Sequence, residues 1–225
     1  MVIDTVLFDF DGTLAELHID FSEMKRRVAD IAALYSKRHP KASTMPVLEW
    51  IDTIAQELRD GSNGLAQAFR SQALAAVEAI EMEAAVKGNL FSFTRPMLED
   101  LTDRGVKVAV VTRNCAKAVR TVFPDANRYS FQLFARDHVH RVKPHPDHLH
   151  TALSALGASP DHALMIGDHP LDIETGKRVG LRTAGVASGR ISFKDLHACH
   201  PDWVAHDCEA LIQILDAQKL LPGKA

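Results

Sequence analysis

An apolar run at residues 2–8, VIDTVLF, stops abruptly at DFDG, residues 9–12. Its Val, Ile, Leu and Phe content marks a buried strand. Yet the strand ends in two like charges, two positions apart, followed by a glycine. The same kind of run recurs as VKVAVVT (106–112), ALMIGD (163–168) and RTAGVA (182–187), with a short example at FQLFA (131–135) and a weaker one at DWVAHD (202–207). Helical patterns separate these runs. RPMLEDLTDRG (95–105) has Pro96 at a helix start and Gly105 just past its end. A helix over residues 116–122 follows, then PDHLHTALSALG (146–157) stopping at Gly157, LDIETGKRVG (171–180) and a closing CEALIQILDAQKL (208–220). Strands alternating with helices require right-handed crossovers and give a parallel sheet covered on both faces. The expected fold is α/β, a Rossmann-like parallel sheet.

Between the first strand and the second the character changes. Phe21, Met24, Val28, Ile31 and Tyr35 recur at helical spacing. So do Val47, Ile51, Ile54 and Leu58 after Pro46, and Leu65, Phe69, Ala73, Val77 and Ile80. RHPKAST (38–44) and DGSNG (60–64) read as turns between them. The expectation is an all-helical domain over residues 16–89, inserted into a core made of residues 1–15 and 90–225.

Composition narrows the function classes. With 46% hydrophobic and 24% charged residues over 225 positions, the chain can bury a sizeable core. The formal net charge of −3 argues against a nucleic-acid binder, which normally carries a basic excess. The three cysteines, Cys115, Cys199 and Cys208, are odd in number and lack C-x-x-C spacing, which favours a reducing compartment. No apolar segment is long enough to span a bilayer, and Asp4 interrupts the N-terminal apolar stretch, which has no basic flank. A cytoplasmic protein, monomer or homodimer, without a membrane partner is expected.

In open α/β sheets ligands bind outside the carboxyl ends of the strands. Asp9 and Asp11 end the first strand, Thr112 ends VKVAVVT and Asp168 ends ALMIGD. Neighbouring strands would bring all four to one rim, within reach of Lys143 in the loop RVKPHP. Taken singly, each has a plain explanation: Asp-Gly turns, a helix-capping Asp, a solvated loop lysine. Their joint placement does not. Carboxylates this close repel and hold protons unless a cation joins them. Oxygen-only ligands suit a hard ion, Mg²⁺ above all, which keeps waters and works with phosphate.

Four segments in order, DFDGTL, VVTRN, the lysine of KPHP and GDHPLD, resemble the short motifs of the haloacid dehalogenase-like hydrolase superfamily, near its phosphoglycolate-phosphatase-like branch. The resemblance covers nearly the whole core and implies that the helical insert is a cap domain. It implies that Asp9 is the nucleophile, forming an aspartyl-phosphate, and that Asp11 is the acid and base. Thr112 and Lys143 complete the catalytic set, with Lys143 neutralising the charge on Asp9 and the phosphate. Gly12 lets the chain turn, and Thr13 holds the loop. Asn114 binds phosphoryl oxygens beside Thr112. Arg113, next to it, either lines the substrate entrance or is paired on the surface. Asp9, Asp11 (through its main-chain carbonyl), Asp168 and Asp172 make the metal site, Asp172 acting through water or outer hydrogen bonds. The implied activity is Mg²⁺-dependent hydrolysis of a small phosphorylated metabolite such as phosphoglycolate or a sugar phosphate. A β-phosphoglucomutase-like isomerase and a non-catalytic phospho-ligand-binding module are the alternatives. Asp11 disfavours a dehalogenase or phosphonate hydrolase, which usually lack it.

The remaining polar clusters read more plainly. His145, His148 and His150 are assigned to a solvated helix face, since no closed transition-metal ligand set accompanies them. His197, Cys199, His200, His206 and Cys208 match no common zinc spacing and are given core and surface roles. His169 lies close to the expected metal and faces the substrate. At the start of the insert, His18, Lys25, Arg26 and Arg27 would favour an acidic substrate if they face the site; a charged solvent face on an amphipathic helix is the alternative.

Overall fold

The computed structural model describes residues 2–36, 44–59 and 63–224. The chain divides into two compact units, Met1–Leu17 with Gly88–Ala225, and His18–Lys87. In the larger unit, β1 (Thr5–Phe8), β4 (Lys107–Val111), β5 (Gln132–Phe134), β6 (Ala163–Gly167), β7 (Arg182–Val186) and β8 (Trp203–Ala205) form one sheet in the order β5-β4-β1-β6-β7-β8. Every pairing in it is parallel. The helices of this unit are α4 (Thr94–Asp103), α5 (Ala116–Val122), α6 (Asp147–Leu156), α7 (Pro170–Val179), α8 (Phe193–Ala198) and α9 (Cys208–Ala217). Leu7, Ala109, Val111, Phe134 and Met165 on one sheet face meet Leu149, Ala152 and Leu153 of α6 and Val179 of α7. The alternate residues Val6, Phe8, Val108, Val110, Leu164 and Ile166 are equally buried on the opposite face. Burial on both faces explains why these strands are apolar throughout rather than alternating.

Local differences from the sequence expectation have local causes. β1 starts at Thr5, not Val2: the Ile3 and Asp4 amides donate instead to the carbonyls of Leu220 (2.7 Å) and His162 (3.1 Å). α4 starts at Thr94, so Pro96 lies inside its first turn, where no intrahelical N–H is needed. A two-stranded antiparallel ladder, β2 (Ala15–Glu16) with β3 (Asn89–Leu90), joins the chain on either side of the insert. The division between the two compact units lies at residues 17/18 and 87/88. Helix α8 was not anticipated; Ser192 caps it, its Oγ accepting from the Asp195 amide at 3.1 Å.

The smaller unit contains α1 (Phe21–Tyr35), α2 (Val47–Arg59) and α3 (Asn63–Ala85). Met24, Val28 and Ala32 of α1, Ile51, Ile54 and Ala55 of α2, and Phe69, Ala73, Val77 and Ile80 of α3 are buried. Phe21 and Leu65, counted in the apolar stripes, are exposed. Arg26 pairs with Glu23 and Asp30, both at 2.7 Å, and Arg27 with Glu23 at 2.8 Å and Glu83 at 3.4 Å, so both guanidinium groups are engaged within this unit. The turns expected at residues 38–44 and 60–64 fall largely outside the described residues. No helix among the described residues is long and apolar enough to cross a membrane.

Gly176 tests how closely helix and sheet approach. Helix propensity favours Ala over Gly by about 1 kcal/mol. A Cβ at Gly176, however, would lie 2.5 Å from Thr183 Cγ2 and 3.1 Å from Met165 Cβ, and overpacking of this kind costs roughly 1–3 kcal/mol. The clash should win: Gly176→Ala is expected to lose about 1 kcal/mol of stability by urea denaturation, net of the propensity gain. A rise in the midpoint would show that α7 can lift from β6 and β7 without cost.

Candidate active site

From β1 the chain steps to β4 and β5 on one side, then returns to β6, β7 and β8 on the other. The switch point lies between β1 and β6, where an α/β sheet opens a crevice at the strand ends. Register aligns Phe8 with both Val110 and Ile166. Asp9, Thr112 and Asp168 are each the first residue past a strand, so the sheet delivers them to one rim.

Lys143 organises this rim. Its side chain is 1% exposed, and its Nζ donates to Asp9 Oδ1 at 2.7 Å and to Asp172 Oδ1 at 2.6 Å. Burial works against its charge, but the carboxylates of Asp172 and Asp9 outweigh it and hold its pKa above the ordinary lysine value. Asp172 Oδ2 accepts from the His169 amide at 3.2 Å, so both of its oxygens have partners. Burial raises the Asp9 pKa, opposed by the attraction of Lys143. Its amide donates to the Ile166 carbonyl at 2.8 Å, fixing the end of β1 against β6.

Asp9, Asp168 and Asp172 each offer an oxygen within 4.8 Å of the others, the one such ligand group among the described residues. Asp168 is pushed up to about 8, first by burial, then by repulsion from Asp9, Asp172 and Asp11. Thr13 Oγ1 approaches its Oδ1 at 3.5 Å. A Cβ at Gly12, where φ is +83°, or at Gly189 would collide with the Asp168 carboxylate. These two glycines, joined by a Ser188 hydroxyl that donates to the Gly12 carbonyl at 2.7 Å, leave the carboxylate its space. The donor set is oxygen only and carries more negative charge than Lys143 can balance, which is what a hard divalent cation requires.

Asp11 stands apart. Its Oδ1 accepts from the Leu17 amide at 2.9 Å, and its pKa is pushed up to about 7, chiefly by burial. It thus keeps a proton up to about neutrality, whereas at Asp9 the pull of Lys143 works against the burial that raises its pKa. On β4's end, the buried Thr112 hydroxyl donates to Asn114 Oδ1 at 2.9 Å and accepts from the Asn114 amide at 3.2 Å. Arg113 turns to the main chain of Lys143, its Nη1 donating to that carbonyl.

The histidines divide. His145 contacts Arg141 Nη1 at 2.8 Å and Asp147 at 3.3 Å, and His150 is exposed. His148 corrects the reading of a solvated face: it is 0% exposed, wedged between Lys143 and Phe134. The signal was its position next to Leu149 and four residues before Ala152, on the apolar stripe of α6. His169 is exposed, and its Nδ1 caps α7 by accepting from the Leu171 amide at 3.2 Å. The C-terminal cluster does not gather: Cys208 is buried with Sγ 3.4 Å from the Thr13 carbonyl, while Cys199 bonds within α8's end. Sequence reasoning also passed over the loop Ser188–Gly189–Arg190 after β7, whose only signal was its place at the same strand ends.

Comparison with known proteins agrees with this arrangement. The chain is 27% identical to the pyrophosphatase PpaX of Oceanobacillus iheyensis, covering 96% of this chain and 98% of that protein. It is 29% identical to PpaX of Bacillus pumilus, at 96% and 97% coverage. A crystal structure titled a predicted phosphoglycolate phosphatase, from Haemophilus somnus, shares the fold with a TM-score of 0.62 at 22% identity, covering 94% of this chain and 97% of that one. The family model for haloacid dehalogenase-like hydrolases matches residues 6–186, most of the chain. That match takes in the strand ends that carry DFDGTL, VVTRN and GDHPLD and the loop that carries KPHP, and the chain belongs to the haloacid dehalogenase-like hydrolases.

Proposed function

We propose that the protein is a Mg²⁺-dependent phosphomonoesterase acting on a small phosphorylated metabolite, with residues 18–87 as its cap. The observation that carries this reading is the Lys143–Asp9 ion pair beside a second, proton-bearing aspartate, Asp11. Asp9 is ionised through its pairing with Lys143 and attacks phosphorus, forming a carboxylate–phosphorus bond while the ester P–O bond breaks. Asp11 gives its proton to the departing oxygen. It then takes a proton from water, which attacks the phosphorus of the aspartyl-phosphate and releases inorganic phosphate. Thr112 and Asn114 hold the phosphoryl oxygens, and Lys143 balances the charge that collects on them. Mg²⁺, held by Asp9, Asp168 and the Asp11 main-chain carbonyl, would neutralise phosphate charge when bound. Asp172 keeps Lys143 in place. The names of the relatives add inorganic pyrophosphate to phosphoglycolate and sugar phosphates as substrates to try.

Phosphate release from an aryl phosphate should require Mg²⁺ and disappear in Asp9→Asn; full activity in that variant refutes the nucleophile. Asp11→Asn should lose roughly 10²–10⁴-fold with an alkyl phosphate, whose leaving group needs a proton, and less with a nitrophenyl phosphate. Equal losses on both would remove Asp11 from the leaving-group side. The metal reading has its own test. Asp11 and Asp168 have folded pKa values, about 7 and about 8, above the unfolded 3.8. They favour the folded state below pH 3.8, and that contribution is lost as pH rises through 7 to 8 in metal-free protein. Mg²⁺ competes with those protons, so it should raise the melting temperature more at pH 8 than at pH 5. An equal or larger shift at pH 5 would place the ion elsewhere.

A further inference from the structure

The structure assigns His148 as a positioning residue that sets Lys143 against Thr112, an inference that rests on the phosphotransfer roles proposed for those two residues. Three buried contacts form a chain. The Lys143 amide donates to His148 Nδ1 at 3.2 Å. The opposite ring nitrogen, Nε2, lies 2.9 Å from the Phe134 carbonyl. That same carbonyl accepts the Thr112 amide at 3.0 Å. One imidazole thus connects the loop that carries Lys143 to the strand end that carries Thr112.

The contacts fix the state of the ring. A main-chain amide only donates, so Nδ1 must be bare; a carbonyl only accepts, so Nε2 must carry the proton. The ring is neutral, and a second proton would face the Lys143 amide donor to donor. Its surroundings keep it so, since burial and the charges of Lys143 and Arg113 all disfavour imidazolium. Arg113 completes the hold: it donates to the Lys143 carbonyl, so the lysine main chain is held at both its amide and its carbonyl. The need is geometric. Lys143 must keep its ammonium within hydrogen-bond reach of Asp9 and Asp172 from a loop without regular structure, and a shift near 1 Å at a reacting centre can cost about 10²-fold in rate.

Three substitutions separate positioning from filling space. Asn places its Oδ1 where Nδ1 stood and can still accept from Lys143; Gln places its amide where Nε2 stood and cannot; Leu fills volume and makes neither bond. His148→Leu and His148→Gln should lower kcat on an aryl phosphate roughly ten- to a hundred-fold with KM within about threefold, and His148→Asn should recover most of the loss. Activity of His148→Leu within twofold of the parent overturns the proposal, as does an Asn variant no better than Gln. The ¹⁵N spectrum of the ring in the unmodified protein should show Nδ1 bare and Nε2 protonated from pH 5 to 8, and a protonated Nδ1 also overturns it. If the parent hydrolyses no phosphate ester, the phosphatase reading fails. The positioning role is then decided by the ring spectrum and by whether the Lys143–Asp9 contact is lost in a crystal structure of His148→Leu.

Discussion

The site depends on one buried ammonium. Lys143 sits between Asp9 and Asp172 with almost no access to water. An isolated ammonium in that position would cost several kcal/mol in desolvation and would shed its proton instead. Two carboxylates at hydrogen-bond distance reverse the balance and keep it charged. In return it draws Asp9 toward the ionised form that the proposed attack on phosphorus needs, against the burial and the nearby Asp172 that favour a proton there. The pair is therefore better regarded as a device for keeping charge in a dry place than as a source of stability, since buried ion pairs seldom contribute much net free energy.

Counting charge shows why the device is incomplete by itself. Asp9, Asp168 and Asp172 contribute three negative charges against the single positive charge of Lys143, so two remain when all are ionised. Protons can cancel them, in line with the raised pKa of Asp168, but a protonated Asp168 would be a poor ligand for the proposed cation. A divalent cation would cancel both at once and would supply the attraction for a phosphoryl group that three carboxylates lack. Gly12 and Gly189 fit the same need, because side chains at either position would occupy the space around Asp168.

Much of this was legible in the sequence, and what was not has identifiable reasons. The central strands and the helices α4, α6, α7 and α9 are clear apolar or periodic segments, and the aspartates at the strand ends inherit their positions from the sheet. β2 and β3 are two residues each, too short to show a period, and their pairing joins segments some seventy residues apart. α8 is short, and its one signal is the Ser192-to-Asp195 spacing of a helix cap. The partners of Lys143 depend on a loop path that no periodicity describes, so sequence could supply Asp9 but not the second bond to Asp172. His148 was lost to its neighbours: among three histidines in six residues, the pattern suggested a polar face, whereas the apolar stripe of α6 carries only the middle one inward.

Burial is the common cause behind the opposite behaviour of the titrating groups. It pushes Asp11 and Asp168 up toward neutrality and above, and it pushes His148 down to about 3. Each group moves toward its neutral form, as desolvation requires. What separates their roles is the number of opposite charges each can reach. Asp11 has a main-chain amide and no ammonium bonded to it, so it retains a proton up to about neutrality, as its proposed role requires. His148 has a main-chain donor on one side and a carbonyl on the other, so it stays neutral and serves as a spacer. Lys143 meets two opposite charges at hydrogen-bond distance, and they hold it in its charged form against burial. The groups proposed as nucleophile, acid and neutral strut thus share one dry region and differ in the partners that the strand ends, the Lys143 loop and α6 bring to each.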